Sequence, residues 1–314
     1  MHCHYFGSYH AEGTPNPNGG TGNEANVKRA LELDMGVFNI SPIDKGGLLQ
    51  NPSATIVRTI GHKLSPIAFA LLANNELGFH TSSVGFGRPT DMDEAVDGAS
   101  LHENEEVKTE FEAAVARLES LKKEKLGEEW CEKGYLNIPD FYDETTGGTA
   151  IGHILWCHNV ITAFGMYKFA KLRYGSLEKT RGGFKSKKSF EENIKAMDDG
   201  NPGLSFDPDF DYTEALAKHY NPSLALEKMK EVHSWLKKDA IFSEEEIKER
   251  GWDSAYDLQT WEIFPGGEVT ISQVLLQNVS RGRYGISSKS PDERKDWVAT
   301  VKNTKDAYEK VLGA

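Results

Sequence analysis

The chain has 314 residues, with 48 Asp and Glu against 36 Lys and Arg, a formal net charge of −12. That balance argues against diffuse binding to nucleic acid, because counterion release needs a basic face. No apolar run approaches the roughly 20 residues of a bilayer span, MHCHYFGSYH lacks the regions of a signal peptide, and three scattered cysteines suit a reducing compartment, so a cytoplasmic chain without a membrane partner is expected.

The first hundred residues alternate between strand-like and helix-like patterns. An apolar start, HCHYF, is followed by a Gly/Pro/Asn loop over 13–23 and a helical stretch from Ala25 to Leu33. A strand-like run, Met35 to Ile40, leads into SPIDKGG. Ser65 then stands as N-cap to a helix with Pro66 at its first position. That helix, PIAFALLANNE, is apolar nearly all round and should be buried. A short strand, Phe79 to Val84, precedes the turn GFGRPT, with Thr90 as N-cap of the next helix and Asp93 three residues on. The order β, α, β, α, β, α predicts parallel strands with crossover helices.

Residues 103–126 are charged and helical, with Phe111, Val115, Leu118 and Leu121 at helical spacing. A helix is expected over 150–175, with Trp156, Cys157, Phe164 and Tyr167 as core. Residues 178–212 read as loops, and the basic cluster Arg181, Lys185, Lys187 and Lys188 in them as a solvated surface. Further helices are expected from about Pro222 to Lys238, from Ser243 and after Ser290, while GGEVTISQVLLQNVS is ambiguous between strand and helix. Asn39 and Asn278 sit in N-x-S sequons.

Two loops share a design: each follows an expected strand, contains glycines and opens a helix. They are Ser41-Pro42-Ile43-Asp44-Lys45-Gly46-Gly47 and Gly85-Phe86-Gly87-Arg88-Pro89-Thr90. Backbone N–H groups at a helix N-terminus favour anions, and glycine lets a phosphate approach. Lys45 and Arg88 would add charge-assisted contacts. In (β/α)₈ barrels a phosphate site is commonly formed by the loops after strands 7 and 8. The bare pattern leaves ordinary tight turns open as well.

Metal sites find little support. His2 and His4 share a strand face at a terminus, with Cys3 pointing away. Asp207, Asp209 and Asp211 begin like a calcium loop, but Tyr212 and Lys218 replace its required Gly and Glu. Three scattered cysteines cannot ligate an iron–sulfur cluster.

MGVFNISPIDKGGLL and LSPIAFALLANNELGFHTSSVGFGRPTDMDEAV resemble the last strands and cofactor loops of aldo-keto reductases. The likeness is closest to a divergent branch of predicted oxidoreductases with a helical C-terminal extension, here LGEEWCEKGYLNIPDFYDETTGGTAIGHILWCHNVITAFGMYKFAKLRYG. The resemblance implies an α/β part, a partial (β/α)₈ TIM barrel of about its last three βα units over residues 1–102, then a mainly α extension over 103–314. It implies an NADP-dependent oxidoreductase acting on a small-molecule carbonyl, represented by its C-terminal portion. Ser41, Pro42, Lys45 and Gly46 would line the pyrophosphate. Gly85, Gly87 and Arg88 would face the adenosine phosphate, Asp93 and Glu94 would lie near the adenosine, and Tyr5 would stack on the nicotinamide. The chain departs from the family pattern at Gly87 and Ala95.

The family's Tyr general acid and its Lys, Asp and His partners lie on early strands, so no residue here inherits them. The expected alternative is a non-catalytic structural or interaction protein that retains a fragment of the fold. A partner chain completing or covering the open barrel edge belongs to the same expectation, since a bare edge is a liability.

Overall fold

The computed structural model describes residues 3–7, 23–61, 63–86, 89–183 and 203–237, with Glu245 and Glu249 as isolated positions. Its elements are α1 (Asn23–Glu32), β1 (Phe38–Ile40), α2 (Ala54–Ile60), α3 (Pro66–Glu76), β2 (Thr81–Ser83), α4 (Pro89–Ser100), α5 (Glu105–Leu126), α6 (Glu128–Lys133), a 3-10 turn (Glu144–Thr146), α7 (Ile151–Phe164), α8 (Tyr167–Gly183), α9 (Thr213–Leu216) and α10 (Pro222–Lys237). The helices expected from Ser243 and after Ser290, the GGEVTISQVLLQNVS segment and the Asn278 sequon lie outside the described residues, as do the side chains of the basic cluster.

The protein is mainly helical, which overturns the partial TIM barrel of three βα units. Among the described residues the only sheet is β1 beside β2, parallel, with Phe38 opposite Thr81, Asn39 opposite Ser82 and Ile40 opposite Ser83. The expected first strand is instead a turn, closed by the Gly7 N–H donating to the His4 carbonyl at 3.0 Å. It meets β1 through a side chain rather than a ladder. The Asn39 amide accepts from the Cys3 N–H and donates to the Cys3 carbonyl. One side-chain amide satisfies one residue's backbone, and no strand can extend from it.

Where the helices form, local chemistry explains them. Ser65 Oγ accepts from the Ala68 N–H at 3.1 Å, Pro66 opens α3, and every residue of α3 from Pro66 to Asn74 is buried. Asn104 caps α5 by accepting from the Glu106 and Val107 N–H groups. The single helix expected over 150–175 is two, because Gly165 sits at φ 66° and its N–H and that of Met166 close the last turn of α7. Thr90 is not the N-cap of α4, which already begins at Pro89.

α7, apolar on all sides, is the centre of the helical packing, with α5, α8 and α10 against it. Trp156, Cys157, Phe164 and Tyr167 are all buried there, as their pattern suggested. One apolar cluster runs from Phe6 and Phe69 through α5 and α7 to Trp235 and Leu236. A smaller one joins Cys3, Val27, Ala30 and Val37.

The two faces of the β1–β2 sheet differ sharply. Asn39 is fully buried and its amide also donates to Asn74 Oδ1 on α3 at 2.8 Å. The opposite face carries Phe38 and Ile40, 58% and 37% exposed. Parallel sheets are ordinarily covered on both faces, and here the two faces are buried to very different degrees.

Candidate functional site

The loops that follow β1 and β2 lie side by side, as neighbouring parallel strands require. The Ser41 N–H donates to the Ser83 carbonyl at 2.8 Å, which carries the pairing one step beyond β1. A Cβ placed on Gly85 would sit 3.8 Å from the Asp44 carboxyl carbon. The loop that carries Ser41, Pro42, Lys45 and Gly46 therefore reaches Gly85 at Asp44.

The first loop is a tight turn, not the start of a helix. α2 begins only at Ala54, capped by Ser53. The N–H groups of Gly46, Gly47, Leu48 and Leu49 are committed within the loop to the carbonyls of Ser41, Asp44 and Ile43. Gly46 is required by space, since a Cβ there would lie 1.9 Å from the Pro42 carbonyl oxygen. Ser41 and Leu48 adopt φ 60° and 53°, a region that costs energy for any residue with a Cβ. Strain thus brackets the loop at both ends. Pro42, Ile43 and Gly46 are buried, while Lys45 is exposed.

The N–H groups of Asp44 and Lys45 have no acceptor among the described residues. These donors and the Lys45 ammonium are what the loop offers an anion. One carboxylate opposes them: Asp44 Oδ1 is buried with no hydrogen-bond partner. The N-terminus of α4 also carries its own acid, because Asp91 is fully buried in the first turn.

Other expected site residues are placed differently. Gly87 and Arg88 lie outside the described residues. Asp93 is exposed and Glu94 half-buried on α4. Tyr5 packs against the apolar cluster beside α3 and α5. Its ring meets Phe6 and Phe69 edge-on at centroid distances of 4.9 and 5.1 Å, and its hydroxyl donates to Glu119 Oε1 at 2.8 Å. Burial, with the Glu119 charge beside it, pushes the Tyr5 hydroxyl far above its ordinary range.

A second polar group escaped the sequence reading altogether. Trp130 Nε1 donates to Asn159 Oδ1 at 2.9 Å, and Asn159 Nδ2 donates to the Tyr135 hydroxyl at 2.8 Å. His158 Nε2 lies 3.0 Å from Glu231 Oε2 and stacks on Trp235. Lys228 Nζ sits 4.7 Å over the Trp130 ring, and burial lowers its pKa. Burial also lowers the pKa of His158, with Glu231 opposing it. These groups join α6, α7 and α10 through the Trp130–Asn159–Tyr135 bonds and the His158–Glu231 contact. The alternation of polar and apolar residues in HILWCHN gave no sign of which would pair.

Among the described residues no group of three or more His, Cys, Asp and Glu could hold a metal ion, and the three cysteines are free thiols. No helix of the described residues is long and apolar enough to cross a membrane. Comparison with family models, curated proteins and solved structures found no match.

Proposed function

We propose that the loops after the two strands bind the phosphates of NADP, as in an oxidoreductase of aldo-keto reductase type. The observation that carries the reading is the approach of Asp44 to Gly85 beyond the ends of two paired parallel strands. In α/β proteins ligands bind at such carboxyl ends. In this reading the Asp44 and Lys45 N–H groups and the Lys45 ammonium hold phosphate, and Arg88 adds a further cation. Hydride transfer to a carbonyl also needs a proton donor of tuned pKa, and the resemblance puts that donor on strands outside the residues it matches. NADPH brought to millimolar levels should give a saturable fluorescence change with the folded protein. The absence of any saturable change would end this reading.

A second reading rests on a different observation. Phe38 and Ile40 keep exposed apolar surface on one face of the sheet, and exposed apolar patches mark interaction surfaces. A non-catalytic interaction protein would dock another polypeptide there. The double variant Phe38→Ser, Ile40→Ser should then bind an apolar dye less and associate less in sedimentation. Unchanged dye binding and unchanged association would remove this second reading.

A further inference from the structure

We infer that Asp44 selects the ligand of the two loops, taking a hydroxyl from a phosphorylated sugar and rejecting a bare phosphate or pyrophosphate. This rests on the cofactor reading above and concerns what that site prefers. Asp44 Oδ1 is buried and has no hydrogen-bond partner. The carboxyl group faces the bare Cα of Gly85, where an added Cβ would lie 3.8 Å from Cγ and Oδ1 and 4.0 Å from Oδ2. It therefore stands at the junction of the two loops rather than inside either one.

A buried carboxylate oxygen without a donor is unfavourable, and a ligand hydroxyl would satisfy it. A phosphate oxygen in the same place would set like charges together. One residue away the demand is reversed. The N–H groups of Asp44 and Lys45 lack acceptors, and Lys45 is exposed with no ion pair among the described residues. Donors for an anion and an acceptor for a hydroxyl stand side by side on one turn. A ligand that meets both carries a phosphate and a sugar hydroxyl in close succession, as a phosphorylated ribose does.

The test is isothermal titration of the full chain with NADPH and, separately, with inorganic pyrophosphate, which has no hydroxyl-bearing sugar. Asp44→Ala should weaken NADPH about tenfold to a hundredfold, the effect of losing a hydrogen bond to a charged group, while pyrophosphate binds more tightly. Asp44→Asn keeps the size and an acceptor oxygen, and should weaken NADPH only a few-fold. It also replaces the Ala variant if circular dichroism shows that variant unfolded. Gly85→Ala meets only ordinary contacts, so it should fold and weaken NADPH by narrowing the junction. If Asp44→Ala and Asp44→Asn bind NADPH as tightly as the parent, the inference is overturned and the cofactor reading stands. Equal weakening of both ligands would show that Asp44 merely holds the loop, and also overturns it. If the parent binds no NADPH, the cofactor reading falls and takes this inference with it.

Discussion

Replacing Asn39 by Ala should be among the most damaging single changes available in the first hundred residues. Its amide makes four hydrogen bonds with no exposure to water. Oδ1 accepts from the N–H groups of Cys3 at 3.3 Å and Ile40 at 3.0 Å, and Nδ2 donates to the Cys3 carbonyl at 3.2 Å and Asn74 Oδ1 at 2.8 Å. Truncation leaves those groups facing a void. Each buried polar group without a partner costs about 1–3 kcal/mol, and neighbouring losses do not simply add. A loss of about 3–5 kcal/mol is expected, against a typical total stability of about 5–15 kcal/mol. Urea unfolding followed by circular dichroism measures it, with the change read from the midpoint at constant slope. Asn39→Asp should also destabilise, because it loses both donors and buries a charge. A loss below about 1 kcal/mol for Asn39→Ala would refute the claim that this amide ties the N-terminal turn to β1 and α3. The same burial bears on the Asn39 sequon: a side chain with no exposure offers no amide for glycosylation in the folded chain.

Three other outcomes are expected. Ser53→Ala removes an N-cap, the Ile56 N–H bond of 3.1 Å, and a hydrogen bond to the Phe164 carbonyl at the end of α7, and should lower stability in urea by about 1–2 kcal/mol. Gly46→Ala drives a methyl into the Pro42 carbonyl and should cost about 1–3 kcal/mol or force the loop to another shape, visible as altered amide exchange at residues 41–49. His153 is fully buried on α7, and burial, with Arg173 second, lowers its pKa from 6.5 to about 3. Above pH 6.5 both states are neutral there; below it the unfolded chain takes a proton that the folded chain refuses, so stability falls as pH drops from 6.5 towards 3, by about 2 kcal/mol at pH 5. His153→Gln should flatten that part of the pH–stability curve, and an unchanged slope would rule the residue out as its source.

Much of the helical structure was legible because it is written in local chemistry. Ser65-Pro66 announces α3, Asn104 with two following acids announces α5, and the apolar run of α7 announces a buried helix. These signals need no distant partner. The break at Gly165 was legible in principle, since glycine is the common helix-ending residue, but the apolar stripe continues through it into α8 and hides the division.

The strands were harder, for a physical reason. A strand is stabilised by what lies beside it, and HCHYF had the composition of a strand without a neighbour to pair with. Its segment satisfies Cys3 on the Asn39 amide and turns back at Gly7. Extending the β, α alternation to a barrel assumed backbone partners that β1 and β2, each three residues long, do not find among the described residues.

The candidate site shows the same division between local and non-local information. SPIDKGG and GFGRP were recognisable as glycine-bearing loops, and the pairing of β1 with β2 is what sets Asp44 beside Gly85. The roles inside the loop were not recognisable. The glycines attracted notice as open backbone for a phosphate, yet the Gly46 N–H is spent on Ser41 and the Gly46 Cα is pressed against Pro42. Asp44 stands between Ile43 and Lys45 and looked like part of a turn, yet its carboxylate is the group with an unmet hydrogen bond at the junction. Whether a loop residue is spent on the turn or left for a ligand depends on where the carbonyls of the same turn point. That depends on φ at Ser41 and Leu48, two positions where the residue type disfavours the conformation adopted. Sequence preference and observed backbone disagree at both ends of this one loop, and strain of that kind persists only where surrounding structure holds it. The holding contacts here are the Ser41–Ser83 bond on one side and the Leu49–Ile43 bond on the other. Loosening either should relax the turn, and with it the spacing of the Asp44 carboxylate and the two free N–H groups.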